Sequence, residues 1–298
     1  YSDHANVINL QQITDNTAPA LTNYAVAGGA NILKLQAQCP FKAYAELRLG
    51  AKALKEPEFI LTNAERGSIV HDVLEHFWQQ TKNQTQLLAF TPEKLTEILS
   101  FIIAKVLTKY KIKRPLSLTD NYLNLETNRL LALVTRWLDL EKTRPEFSVE
   151  QVEQKILITV GPLSLNLRVD RIDSVGTDAR IIIDYKTGNT QISSWTAERI
   201  TEPQLPLYTL NFGHTLVALA IAQVKPDSIA FKGVAVDSEY LPGISTITNT
   251  WTDQLARWDH ILTQTASDFA AGNALVDPAS PQVCSRCDLQ ALCRIYDY

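Results

Sequence analysis

Methionine is absent from all 298 residues. Without an initiator methionine, the chain reads as a piece cut from a longer one. No apolar run approaches the ~20 residues that span a bilayer, which excludes a transmembrane helix. The opening residues Tyr1-Ser2-Asp3-His4 carry no basic region followed by an apolar core, so no secretory leader is visible and a cytoplasmic location is expected. Positive charge is not in excess either: 28 Lys and Arg stand against 32 Asp and Glu, a formal net charge of -4. A polyanion could then be held only by a local channel, not by bulk charge. With only four cysteines, and no leader, a disulfide-built secreted scaffold is a poor reading. No His-Glu-x-x-His occurs, and His71 and His76 are five apart, so a zinc-peptidase helix is excluded.

What is present is an ordinary globular composition, 45% hydrophobic and 20% charged, long enough for a substantial core. The informative stretch is Ile181-Ile182-Ile183-Asp184-Tyr185-Lys186-Thr187-Gly188. It is a short β-branched run bounded by glycine turns, and it predicts a buried strand. Alternation puts Asp184 and Lys186 on one face and Tyr185 on the other. An acid there can hold a hard cation, and a neighbouring ammonium can steady a water or a phosphoryl oxygen. The plainer alternative is an ion pair at a strand end.

The preceding segment, 165–172, alternates Leu165, Leu167 and Val169 with Asn166, Arg168 and Asp170. Its short polar turn into the Ile181 strand predicts an antiparallel hairpin that brings Asp170 close to Asp184. Two adjacent carboxylates repel unless a cation lies between them. Elsewhere, 1–30 reads as a linker or peripheral arm, and 31–49 as helical but interrupted at Cys39-Pro40-Phe41. Helices are expected over 64–80, from Thr91-Pro92 toward Tyr110, over 119–142, from Glu202, and over 250–272. Strands are expected at 149–160, 217–222 and 228–236. The helix over 64–80 packs Ile69, Val70, Val73, Leu74 and Phe77, with Gly67 and His71 sharing a face so that the glycine leaves room beside the imidazole. Glu153, near the start of the 149–160 strand, is a further acid that could join the site, though such a glutamate is usually solvated. Glu75 and His76 are read as solvated or supporting.

Asp170 followed by Asp184-Tyr185-Lys186 resembles the core of the PD-(D/E)XK nucleases, in their RecB-like branch. The resemblance extends to Gly67-x-x-x-His71 upstream and Gln204-x-x-x-Tyr208 downstream, and covers about residues 31–298. It implies an α/β, restriction-endonuclease-like core: a central mixed sheet flanked by helices, with a mainly helical part (31–148), a catalytic sheet core (149–240) and a C-terminal helix and tail (241–298). It further implies one or two Mg²⁺ or Mn²⁺ ions held by His71, Asp170, Asp184 and the Tyr185 carbonyl. Lys186 would orient water, and Gln204 and Tyr208 would place a DNA strand.

Cys284-x-x-Cys287 and Cys293 give thiolates that can share one metal centre, and zinc is open on ligand chemistry alone. The arrangement of Cys39 upstream with Cys284, Cys287 and Cys293 at the end is similar to the iron–sulfur staple of AddB-type nucleases, which implies a [4Fe–4S] cluster tying the tail to the first helix. The nearest likeness is the C-terminal nuclease domain of AddB-like helicase–nucleases acting on DNA ends or single strands in repair and recombination. Its partners would be DNA and a helicase-like domain or subunit, with no membrane. Two other readings stay open: a stapled module that grips DNA without cutting it, and a hydrolase of another phosphodiester such as RNA.

Overall fold

A computed structural model describes residues 16–23, 26–54, 60–190, 192–247 and 250–296. Its centre is a six-stranded mixed sheet whose strands follow one another in space as in sequence. They are β1 (Ser148–Val160), β2 (Leu163–Val175), β3 (Ala179–Lys186), β4 (Leu216–Lys225), β5 (Ser228–Ala235) and the two-residue β6 (Ser245–Thr246). The β1–β2, β2–β3 and β4–β5 pairs are antiparallel, and β3–β4 and β5–β6 are parallel. The expected β2–β3 hairpin is therefore present, and so is the mixed sheet.

Alternation along β3 divides the core. Ile181, Ile183 and Tyr185 join the layer formed by α3 (Asn63–Gln80), α5 (Pro92–Lys113) and α6 (Asp120–Lys142). Ile182 joins the opposite layer, formed by α1 (Ala30–Gln38), α7 (Gln204–Phe212) and α8 (Trp251–Ala271). Both faces of the sheet are dry, as the uninterrupted apolar run of β3 requires. The helices expected before β1 are thus divided: α1 lies on the face opposite α3, α5 and α6.

Helix starts follow local chemistry. Thr62, Thr91, Thr119 and Thr250 each cap a helix by accepting a backbone N–H three residues on. The interruption expected at Cys39-Pro40-Phe41 is real: α1 stops, Cys39 is extended, α2 (Pro40–Ala43) begins on the proline, and a widened π turn follows at Tyr44–Arg48. Three short helices fall outside the sequence pattern: α4 (Gln84–Ala89), α9 (Pro281–Ser285) and α10 (Gln290–Cys293).

Part of the expected linker, residues 1–15 and 24–25, lies outside the described residues. The rest does not trail away. Ala18 N–H donates to Gly272 O at 2.7 Å and Leu21 N–H to Ala270 O at 2.8 Å. Gly272 ends α8 at φ 87°, and a Cβ there would lie 2.0 Å from Ala18 O, so only glycine admits this contact. No helix among the described residues is long and apolar enough to cross a membrane.

Candidate active site

The site opens where two strands stop pairing. The β2–β3 ladder runs from Val175–Ala179 to Arg171–Ile183 and ends there. One residue further, the Asp170 carboxylate replaces a backbone acceptor: Tyr185 N–H donates to Asp170 Oδ2 at 2.9 Å. At this end lies a cavity of about 440 Å³, lined by α3, the ends of β2 and β3, and Gln204 of α7.

α3 delivers His71. The helix is fixed by a reciprocal cap in which Glu65 N–H donates to Thr62 Oγ1 and Thr62 N–H to Glu65 Oε2. His71 Nδ1 lies 3.3 Å from Asp170 Oδ2, and its ring meets Tyr185 edge-on at 5.8 Å. Gly67 has a different task from the one its spacing suggests. A Cβ there would stand 3.0 Å from Thr187 Oγ1, so its smallness makes room for the residue after Lys186 and not for the imidazole.

His71, Glu153 and Asp170 each offer a donor atom within 4.8 Å of the others, the one such group among the described residues. Glu153 lies between the pairs Val152–Arg171 and Gln154–Val169, level with Asp170 on the neighbouring strand. Its backbone sits at φ 54°, which side chains other than glycine rarely adopt. Strand-edge position alone favours a solvated role for this residue, and the structure corrects that expectation. The Gly161-Pro162 turn was the available signal, because Val160–Leu163 pairing across it sets Glu153 opposite Asp170. Arg168 Nε stands 2.5 Å from Glu153 Oε2, a short contact too poorly aligned to count as a hydrogen bond. Burial, and then the Asp170 charge, push the Glu153 carboxyl up to about 7, against the pull of Arg168.

Asp184 stands beside this group rather than within it. It is 1% exposed; Oδ2 lies 2.6 Å from Lys186 Nζ, and Oδ1 is buried with no partner among the described residues. Burial and then Asp170 raise its carboxyl to about 7, although Lys186 acts to lower it. The lysine is raised as well: burial favours its neutral form, but Asp184, Asp170 and Glu202 outweigh that and hold it charged. The two shifts describe one site with too little positive charge. Three acids face one ammonium, and the orphaned Asp184 Oδ1 is the place where more cation is wanted.

Lys186 is itself held. It donates to Gln204 Oε1 at 3.1 Å, Gln204 Nε2 donates to Tyr208 OH at 3.1 Å, and Tyr208 OH donates to Arg168 O at 2.8 Å. At 1% exposure Tyr208 offers a strand no surface, and it is linked to Lys186 only through Gln204. The Tyr185 ring points into the opposite layer, where its hydroxyl accepts from Arg171 at 3.1 Å.

The four cysteines stand at the other end of the chain's path. Phe41 N–H donates to Leu275 O and Ala279 N–H to Gln38 O, clamping the backbone around Cys39 to the start of the tail. The Cys284 thiol is raised by burial and then by Cys39, Cys293 and Cys287.

A mixed sheet with helices on both faces, with acids and a lysine where its β2–β3 hairpin stops pairing, defines an α/β protein of the restriction-endonuclease-like fold. A model of the PD-(D/E)XK nuclease superfamily matches residues 30–294, and the chain belongs to that superfamily. Among curated relatives, it is similar to a subunit of the ATP-dependent helicase/deoxyribonuclease of Alkaliphilus metalliredigens, 24% identical over 208 residues, 61% of this chain and 17% of that protein. The subunit of the same description from Clostridium perfringens strain SM101 is 29% identical over 174 residues, 53% of this chain and 15% of that protein. The chain thus spans less than a fifth of the length of these relatives. The solved structure of SSO0001 aligns over 85% of this chain at 16% identity with a TM-score of 0.31, a score that says nothing about chemistry.

Proposed function

We propose that this chain is the nuclease domain of a helicase–nuclease and hydrolyses phosphodiester bonds of DNA with the help of Mg²⁺ or Mn²⁺. The observation that carries the reading is the convergence of His71, Glu153 and Asp170 around one point, with Asp184 and Lys186 adjoining. Hard oxygen donors, one imidazole and an orphaned buried carboxylate oxygen fit a divalent cation. Bound there, the metal would lower the pKa of a water and offset phosphate charge.

The chain's own groups then have separate tasks. Asp170 is aimed by the Tyr185 N–H and by His71. Lys186, held by Gln204 and Asp184, presents a charged ammonium to the attacking water or to a phosphate oxygen. Buried Tyr208 fixes Gln204. DNA as the substrate, attack at ends or on single strands, a part in repair and recombination, and a helicase partner follow from what the similar subunits are called and from the motif likeness.

The thiols are read as a [4Fe–4S] staple in preference to zinc. What supports the cluster is the likeness of one upstream and three C-terminal cysteines, Cys39 with Cys284, Cys287 and Cys293, to the AddB-type staple.

End-labelled single-stranded and duplex DNA incubated with Mg²⁺, Mn²⁺ or EDTA tests the proposal, beside Asp184→Ala and Lys186→Ala. Metal-dependent cutting lost by at least ~100-fold in both variants is expected. Full activity in either would sink the site, and binding without cutting by the wild type would leave a DNA-gripping module.

A further inference from the structure

The active cavity does not end at Lys186. Lys186 and Gly188 also line a second, larger cavity of about 690 Å³ that runs from the site toward the C-terminal tail. Its walls come from three separated parts of the chain: Lys34 of α1, Thr190, Ser193, Ser194 and Glu202 between β3 and α7, and Arg286 on the tail. Among the described residues, no aromatic ring lines it. Bases are gripped by stacking on aromatic faces, whereas phosphates are gripped by cations and hydroxyl donors. The cavity has only the second set.

We infer that this cavity is a backbone subsite. It would hold the phosphates of the strand segment adjoining the scissile bond, through Lys34 and Arg286, without reading the bases. The inference rests on the nuclease reading of the neighbouring site. Arg286 is exposed, and among the described residues no carboxylate pairs with it in competition with a phosphate. Lys34 is engaged, but weakly: its Nζ lies 2.7 Å from Glu202 Oε1, with the two side chains 37% and 39% exposed. A pair so exposed contributes little to stability and can be exchanged for a phosphate oxygen. Glu202 then acts as a placeholder, repelling a strand that Lys34 attracts.

This arrangement makes the two partners of one ion pair behave oppositely, which a merely structural pair would not. The test is fluorescence anisotropy with a labelled oligothymidylate of about 20 nucleotides, longer than one such groove, at several salt concentrations. EDTA keeps metal-dependent cleavage off. Lys34→Ala and Arg286→Ala should each raise Kd by roughly 5- to 10-fold and flatten the log Kd against log salt slope by roughly 0.7. Glu202→Gln should lower Kd. In cleavage assays on the wild-type background, the first two should raise KM and leave kcat nearly in place, equally for sequences of any composition. Unchanged Kd and salt slope in both cation variants would overturn the inference, as would weaker binding by Glu202→Gln. If the binding results hold while the wild type fails to cut with Mn²⁺, the subsite stands and the nuclease reading falls.

Discussion

Gly67 lies inside a helix, where alanine is ordinarily better by about 1 kcal/mol. Its place opposite Thr187 Oγ1, at a Cβ distance of 3.0 Å, gives it a reason to remain glycine. Gly67→Ala should therefore keep or raise stability while pushing Thr187, and with it Lys186, a few tenths of an ångström out of place. Cleavage should fall by about 3- to 10-fold, short of the ~100-fold cost of a full ångström. Adding Thr187→Ala should restore most of it, since the obstructing hydroxyl is gone. A melting curve and a rate for both variants decide this, and a stability loss without rate loss would remove Gly67 from the site. The raised carboxyls argue a second outcome at this scale. Glu153 and Asp184 keep their protons to about pH 7 in the fold, against ordinary values of 4.5 and 3.8. Between roughly pH 4 and 7 the native chain thus holds more protons than the unfolded one, and these groups make stability fall as pH rises through that window. Glu153→Gln should then stabilise the metal-free protein more at pH 8 than at pH 5, in denaturant midpoints. Mn²⁺ should stabilise the wild type most at pH 8, where the acids are ionised. An equal effect of Glu153→Gln at both pH values would remove its shifted titration from the account.

α6 is fastened to β2 by charges with no exposure at all. Arg171 bonds Asp173 Oδ1 at 2.6 Å and Glu141 Oε1 at 2.7 Å, and Arg144 bonds Glu141 and Asp173 at 2.7 and 2.8 Å. Arg171 stacks over Trp78 at 3.9 Å and Arg144 over Phe147 at 4.0 Å, so each cation also has an aromatic face. Two cations and two anions balance, which is how buried charge is tolerated. Breaking the balance is costly: Arg171→Leu leaves two buried carboxylates to Arg144 alone, one negative charge in excess, and should lower stability by about 3–5 kcal/mol. It also frees the hydroxyl of Tyr185, the residue whose own N–H aims Asp170. Replacing all four with apolar residues should recover much of the stability but not the cleavage rate, and a denaturant titration beside an activity assay separates the two effects. Sequence pattern could reach the strands themselves, because β-branched runs between glycine turns admit few alternatives, and it reached Asp170, Asp184 and Lys186 through the hairpin they share. It could not reach the quartet, since Glu141 and Asp173 are distant in sequence and nothing local marks either as buried. For Glu153 the Gly161-Pro162 turn offers the register, but nothing in the pattern gives the positive φ of its backbone. His71, Gln204 and Tyr208 were legible only through a likeness to known nucleases, as spacing on a helix does not say what faces it.

At the scale of the whole molecule, the first and last described segments are tied back to the body. Segment 16–21 lies against the end of α8, and the backbone on either side of Cys39 is hydrogen-bonded to residues 275 and 279. Cys284, Cys287 and Cys293 follow on a tail of two short helices with no fully buried residues in either, so apolar packing of α9 and α10 does not explain why the tail holds its place. A shared metal cluster would. It would join Cys39 to a tail some 245 residues later, and in the chain-entropy view a cross-link closing so long a loop contributes on the order of 5 kcal/mol. The tail also carries Arg286 into the wall of the second cavity, so fixing it fixes that wall. Four ligands to one cluster act as a unit, and the consequence is non-additivity. Cys39→Ser and Cys287→Ser should each remove the metal, lower the melting temperature and free the tail to a protease. The double variant should be no worse than either single one. Iron and sulfide content, measured with zinc on anaerobically purified protein, identifies the centre. Two additive losses, with metal retained in each single variant, would show that the thiols stabilise the chain separately and that no common centre ties its ends.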